Sequence, residues 1–347
     1  MRLKATLDDV ARTAGVHRST VSLSLRDHPR IPVRTRERVK AVARELGYQI
    51  DPLVAALMQL RRSPRPHQAP ALAFVRLGPP NATLAPGDID YLPGAAARAR
   101  ECGFRLLRFD DRDAAARPLA DEFSVRGIKG ALIDSTAATG RAELLTGDGF
   151  SCLSIGPQVT PSLHHVAENH FDAVGEALQR AAERGYSRIG YVPAAPTAAW
   201  RAERALGAYT IHQLRQPAGA RLPACPGSPA TYSLFEPWFL AHAPAALLTD
   251  DPALVRDWLR QLGRRVPDDV GLVSVRAGGE ADCSGFYPDP AITGAFAVDA
   301  LLDLMRQHET GIPAVAYEIL LGAAWREHDT LPLRAPAAVC PVASSSA

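Results

Sequence analysis

Cysteine is sparse in this 347-residue chain: five residues, Cys102, Cys152, Cys225, Cys283 and Cys340, far apart and without a C-x-x-C spacing. That pattern argues against a disulfide framework and against a zinc site. No apolar run approaches the roughly 20 residues that span a bilayer, so no membrane association is expected. The N-terminus, Met1-Arg2-Leu3-Lys4-Ala5-Thr6, is charged early and lacks an apolar stretch, unlike a secretory signal, and the expected compartment is the cytoplasm. Glycine (26) and proline (29) are too few for a collagen-like or wholly disordered chain. Nor is there a G-x-x-x-x-G-K-[ST] run, and Gly147-Asp148-Gly149 is no phosphate loop. His164-His165 with His170 reads as a loop, because no cysteine stands at ligand spacing, and Asp110-Asp111-Arg112-Asp113 reads as a solvated turn. No catalytic residue, cofactor or metal is expected.

What is present is an ordinary globular composition, 47% hydrophobic and 22% charged, with length for about two or three domains. The formal charge of +2 hides a division. Residues 1–65 hold 14 Lys+Arg against 6 Asp+Glu, a net +8, which leaves 25 against 31, a net −6, for the rest. A small basic head on an acidic body suggests a head that meets a polyanion.

The head has the periodicity of three short helices. Thr6 can cap the first, with Asp9 completing a short-armed capping box. Leu7, Val10, Ala11 and Ala14 then form one apolar stripe, and Gly15 ends it. A second helix runs from Arg18 to about Leu25, with Val21 and Leu25 inward, until Asp27-His28-Pro29 breaks it. A third runs from about Val33 to Leu46, with Val39, Val42, Ala43 and Leu46 as its stripe and Gly47 closing it. Two helices joined through a glycine turn and buttressed by a third make a helix-turn-helix, whose second helix lies in the DNA major groove. Arg18, Ser19 and Ser22 face outward there, with Leu23 further along. Arg18 can donate two bonds to guanine, and Ser19 can meet a base edge or a phosphate. Thr20, Arg34, Thr35 and Arg36 suit phosphate contacts, and Thr6 belongs to the same DNA-facing set.

Thr6-Leu7-Asp8-Asp9-Val10-Ala11, Ala14-Gly15-Val16, Thr20-Val21-Ser22, Thr35-Arg36-Glu37-Arg38-Val39 and Leu46-Gly47-Tyr48 together resemble the head of the lactose/galactose-repressor (LacI/GalR) family of transcriptional regulators. Two positions depart from the family pattern. His17 stands where the family usually has a serine that caps the recognition helix, and Leu23 where it often has a base-reading arginine.

Residues 51–62 begin Asp51-Pro52, a favoured helix start, and place Leu53, Leu57 and Leu60 on one face. So short a helix is unstable alone in water. The resemblance implies that it forms on DNA, paired with a second copy, with Leu57 wedged into a base step of the minor groove. The other reading packs the three leucines on the body. Residues 63–70 are proline-rich and read as a linker.

Beyond residue 70, apolar runs at 71–76, 105–109, 130–133, 152–155, 188–192, 245–248 and 270–275 alternate with helical patterns at 92–102, 171–184, 202–213, 252–262 and 296–307. This is an α/β pattern of parallel sheets with helices on both faces, whose ligands bind beyond the carboxyl ends of strands. Glu101-Cys102-Gly103-Phe104, Glu183-Arg184-Gly185-Tyr186 and Arg265-Val266-Pro267-Asp268-Asp269-Val270 extend the resemblance and imply a two-lobed body like the periplasmic sugar-binding proteins. The expected division is a head at 1–50, a hinge and linker at 51–69, a body at 70–335 and a flexible tail at 336–347. Within the body, 70–160 with 293–320 would form one lobe and 161–292 with 321–335 the other.

The resemblance places Arg204 and Asp250 at the ligand, and puts Arg276 where sugar-binding members usually have aspartate. Arg76, after the first strand, adds a second positive group. An arginine pair suits a carboxylate or phosphate better than a neutral sugar. Alternatively Arg276 pairs with Glu280 or Asp282, and Asp250 serves as a helix cap. The whole reads as a homodimeric regulator, a repressor by the commoner family outcome, on a pseudo-palindromic duplex operator. Its expected effector is a sugar or an anionic sugar derivative. The competing readings are a regulator whose cleft no longer senses a ligand, and a solute-binding protein.

Overall fold

The computed structural model describes residues 6–25, 30–46, 48, 69–76, 89–110, 119–135, 149–156, 159–194, 199–275 and 282–334. The hinge with Leu57, the linker to residue 68, Asp111 to Asp113, Arg276, Glu280, Cys340 and the tail lie outside them. The chain divides into two compact units, 1–68 and 69–347.

In the first unit, α1 (Leu7–Ala14), α2 (Arg18–Ser24) and α3 (Val33–Glu45) follow the expected stripes. The Asp9 amide donates to Thr6 Oγ1 at 3.2 Å, and the Thr6 amide donates to the Asp9 carboxylate at 2.9 Å, so the capping box forms. Gly15 takes φ +64, a left-handed conformation that any side chain would strain. Val10, Ala11, Ala14, Val21, Val39 and Ala43 close over one another as the core of this unit. Leu46, expected in the stripe, stands just past the last turn of α3 as its C-cap and is partly exposed.

The second unit begins with β1 (Ala71–Arg76), α4 (Leu92–Glu101), β2 (Arg105–Asp110), α5 (Leu119–Arg126), β3 (Gly130–Asp134), β4 (Ser151–Ile155) and β5 (His165–Glu168). It continues through α6 (His170–Glu183), β6 (Ile189–Val192), α7 (Ala199–Arg215), α8 (Tyr232–His242), β7 (Ala246–Thr249) and α9 (Pro252–Gln261). The remaining elements are β8 (Gly271–Ser274), β9 (Gly285–Tyr287), α10 (Pro290–Gln307), β10 (Glu318–Leu321) and β11 (Ala324–Arg326).

These strands form two sheets. The first has the order β10-β5-β4-β3-β1-β2 and is parallel throughout. The second, β11-β9-β8-β7-β6, is parallel except for β11. α4 and α10 pack together, with α10 also against β3, β4 and β5, while α6 packs on α7, β6 and β7. Glycine permits the α4–α10 crossing: a β-carbon at Gly94 would overlap the carbonyl of Ala291, and one at Gly294 that of Tyr91. Arg98 locks the pair through Asp299 at 2.8 Å.

All seven expected strands and all five expected helices of this unit are present, within three residues at their ends except that α10 begins six residues before the expected 296. The structure adds β5, β9, β10, β11, α5 and α8. β5 is His-Val-Ala-Glu, polar at both ends yet wholly buried between β4 and β10; of the loop expected at His164-His165 and His170, His164 stays in the connection, His165 starts the strand and His170 opens α6. β9 and β11 are three residues each. α8 carries Pro237 in its interior, which removes one backbone donor, and burial of Phe235, Trp238 and Phe239 outweighs that loss. The first sheet thus extends past residue 160, and its covering helix α10 begins at Pro290.

Candidate nucleic-acid interface and ligand cleft

On α2 the buried residues are Val21 and Ser24. At 100° per residue the opposite face carries Arg18, Ser22 and Ser19 in a continuous arc. Arg18 and Ser19 are exposed, while Thr20, Ser22 and Leu23 are half-buried. The Arg18 guanidinium lies 3.5 Å from the Asp8 carboxylate, with the side chains 65% and 59% exposed. Water screens such a pair and leaves the arginine able to exchange partners. His17 takes over the cap expected of a serine, its Nδ1 accepting the Ser19 amide at 3.3 Å. Thr6 serves first as the cap of α1, its hydroxyl also donating to Asp9 at 2.6 Å. These hydrogen bonds hold the Asp9 carboxyl below its usual range. The N-cap of α3 is Pro32, which offers no side-chain cap to the first turn, where Arg34 is exposed and Thr35 and Arg36 are half-buried.

In the second unit, the carboxyl ends of the first sheet carry a network of buried charge. Arg76, at the end of β1, donates to Asp134, at the end of β3, at 2.9 Å and to Asp90 at 2.7 Å. Burial alone would lower the arginine's pKa; the two carboxylates outweigh it and raise it. Arg76 therefore supports the lobe from within and is no uncompensated charge at the cleft. Glu168, at the end of β5, is 1% exposed and accepts from the Tyr91 hydroxyl at 2.8 Å, while its Oε1 has no hydrogen-bond partner. Burial pushes its carboxyl up, against the opposing Tyr91 hydrogen bond and the Arg201 charge. His170 Nε2 lies 3.8 Å from Glu168, and burial, with Arg201 and Arg204 nearby, pushes this imidazole down to about 3. It is neutral near pH 7.

Arg204 reaches elsewhere. It donates to Glu318, the first residue of β10, at 2.7 Å, and that carboxylate also bonds His165 at 2.9 Å. The bridge ties α7, packed with the second sheet, to a strand of the first. Arg201, one turn earlier on α7, is the arginine whose field acts on Tyr91, Glu168 and His170. Sequence reading missed Arg201, Tyr91 and Glu168; the spacing of Arg201 and Arg204, three residues apart on a helix, was the available signal. On the second sheet, Asp250 follows β7 and accepts the Ala194 amide at 2.8 Å, joining the ends of β6 and β7. The cap of α9 is Asp251, whose carboxylate accepts the Leu254 amide at 3.0 Å, so the capping role considered for Asp250 falls to its neighbour. Asp282, one suggested partner of Arg276, is held by Arg256 at 3.2 Å.

His164 bonds Glu309 at 2.7 Å, accepts the Tyr317 amide at 3.1 Å and stacks on the Tyr317 ring. It clasps the connection before β10 to β5. Among the described residues no group of histidine, cysteine, aspartate or glutamate could hold a metal ion. Among them, too, no helix is long and apolar enough to cross a membrane.

Residues 6–51 match the family model described as bacterial regulatory proteins, lacI family, and residues 178–327 match a periplasmic binding protein-like domain. No curated protein matches the chain. Among solved structures it is similar to the transcriptional regulator CelR in complex with cellobiose, at 19% identity and TM-score 0.54 over 94% of this chain and 99% of that one. A lac repressor dimer bound to operator and the anti-inducer ONPF gives 20% identity and TM-score 0.53 over 95% and 100%. A LacI family regulator from Enterococcus faecium with bound ribose gives 15% and 0.52 over 76% and 100%. At these identities the structural likeness speaks for the fold.

Proposed function

From the premise that the chain is a DNA-binding transcriptional regulator of the LacI family, we propose that it represses from a pseudo-palindromic operator as a cytoplasmic homodimer and is released or engaged by a small effector held between its lobes. The observation that carries this reading is the outward arc of exposed Arg18 and Ser19 with half-buried Ser22 on a seven-residue helix of a basic three-helix unit. In it, Arg18, Ser19, Ser22 and Leu23 meet bases, and Thr6, Thr20, Arg34, Thr35 and Arg36 meet or support contacts to phosphates. The chain acts by binding and catalyses nothing. Selection of duplexes from a random pool tests this: one symmetric site should emerge, with steep loss of affinity as salt rises. Salt-insensitive binding, or none, would sink it.

The effector should be rich in hydroxyl groups. Arg76 is matched by two carboxylates and Arg204 by a third, which removes much of the support for an anionic ligand. Glu168, Asp134 and Asp250 are acceptors of the kind that hold sugar hydroxyls, and Glu168 Oε1 is buried without a hydrogen-bond partner. Binding shifts the lobes only in so far as the ligand prefers one arrangement over the other. A thermal-shift screen of sugars, sugar acids and phosphates should return a neutral sugar first. A response to anions alone would reverse the assignment, and no response to any class would favour a cleft that senses nothing.

A further inference from the structure

Ser19 is exposed at the second position of α2, and its hydroxyl oxygen lies 2.9 Å from Nδ1 of His17, the residue that caps the helix. The Ser19 amide points at the same nitrogen from 3.3 Å. A backbone amide can only donate, so Nδ1 presents a lone pair and the neutral ring carries its proton on Nε2. With no hydrogen on Nδ1, the short contact to the hydroxyl requires Ser19 to be the donor. Its one hydroxyl proton is committed inward. Two lone pairs are what Ser19 offers outward.

We propose that the His17–Ser19 pair makes Ser19 an acceptor-only reader of base edges, favouring adenine or cytosine over guanine or thymine at the base it meets. The inference rests on the reading of α2 as the helix that enters the major groove. There adenine and cytosine present exocyclic amines, whereas guanine N7 and O6 and thymine O4 are acceptors. An acceptor-only hydroxyl placed against guanine O6, or against a phosphate oxygen, sets lone pair against lone pair. Ser19 is thus a base reader and no phosphate anchor. His17 is a positioning residue, acting on specificity through Ser19. A serine at position 17 would rotate its own hydroxyl and could donate or accept; an imidazole with its proton on Nε2 has no such freedom.

The test is selection from a randomised duplex pool at fixed pH and salt. The full-length protein is compared with Ser19→Ala, His17→Asn and His17→Ala. The base position whose preference vanishes in Ser19→Ala is the one Ser19 reads. The wild type should favour adenine or cytosine there by about tenfold, the worth of one good hydrogen bond to a base. His17→Asn, whose carbonyl oxygen can take both bonds from Ser19, should keep the preference. His17→Ala should admit guanine and thymine at that position and leave the others unchanged. A wild-type preference for guanine or thymine there, no position altered by Ser19→Ala, or an unaltered preference in His17→Ala would each overturn the proposal. Loss of the parent reading looks different: the wild type would then enrich no duplex at all, and the pair would have no base to read.

Discussion

Arg18 and Arg76 are the same residue type in opposite surroundings. Arg18 stands 65% exposed on α2, with Asp8 at 3.5 Å; Arg76 is 7% exposed at the end of β1, gripped by Asp90 at 2.7 Å and Asp134 at 2.9 Å. Water screens the first pair, so the guanidinium can trade Asp8 for a nucleic acid at small cost. The second cation left water on folding and needs its carboxylates to remain there. Two arginines read from the sequence as ligand-facing groups therefore do different work. Counting arginines near a cleft overstates the positive charge it can offer.

The largest effect that could break this contrast is expected at Asp134. Asp134→Ala leaves Arg76 buried against one carboxylate fewer and should destabilise the body by about 3–5 kcal/mol. All four tryptophans, Trp200, Trp238, Trp258 and Trp325, lie in the second unit, so denaturant unfolding followed by their fluorescence reads that unit alone. A change under about 1 kcal/mol would mean that Arg76 is as well solvated as Arg18.

Next comes acid. His170 is pushed down from 6.5 to about 3, so the unfolded chain binds its proton first. The stability that neutral His170 represents is whole above about pH 6.5 and drains away toward pH 3, at most about 1.4 kcal/mol per pH unit. Glu168, pushed up by burial, works the other way as its carboxyl takes a proton. The difference between wild type and His170→Asn isolates the histidine and should reach about 2–3 kcal/mol by pH 4.5. Parallel curves would show that His170 is not sequestered.

Arg18→Ala should weaken operator binding by about 1–3 kcal/mol, measured by fluorescence anisotropy at fixed salt, and leave the tryptophan transition where it was. Any shift of that transition would break the separation between the two units' charges. Smallest is Thr6→Ala, which removes the α1 cap and should cost the head about 1 kcal/mol, read from its far-ultraviolet melting. Thr6→Ser should restore it; failure to do so would give Thr6 a part beyond capping.

The head was legible because its signals are local. The Thr6–Asp9 box, Gly15 and the Val10, Ala11, Ala14 stripe all fall within ten residues, and helical periodicity exposes them. The parallel strands were equally plain where apolar runs such as Ala71–Arg76 are buried on both faces. β5 hid because its polar ends acquire partners only from distant segments, as in the Tyr91–Glu168 bond across 77 residues. Two adjacent aspartates defeated the reading at α9, where Pro252 takes the first helical position and so hands the cap to Asp251. Choosing between Arg201 and Arg204 needed the fold, since both recur on one side of α7 and only tertiary packing says which carboxylate each will meet.

The three crossings between the two sheets carry a mechanical consequence. Glu168 at the end of β5 is one residue from α6, β9 ends three positions before α10 begins, and only Gly322 and Ala323 separate β10 from β11. Tethers this short leave almost no slack for sliding one lobe along the other or drawing it away. What they do allow is a swing of one sheet and its helices against the other about these short connections. Motion between the two sheets then reduces to a single angle, and the Arg204–Glu318 bridge is a latch across that swing.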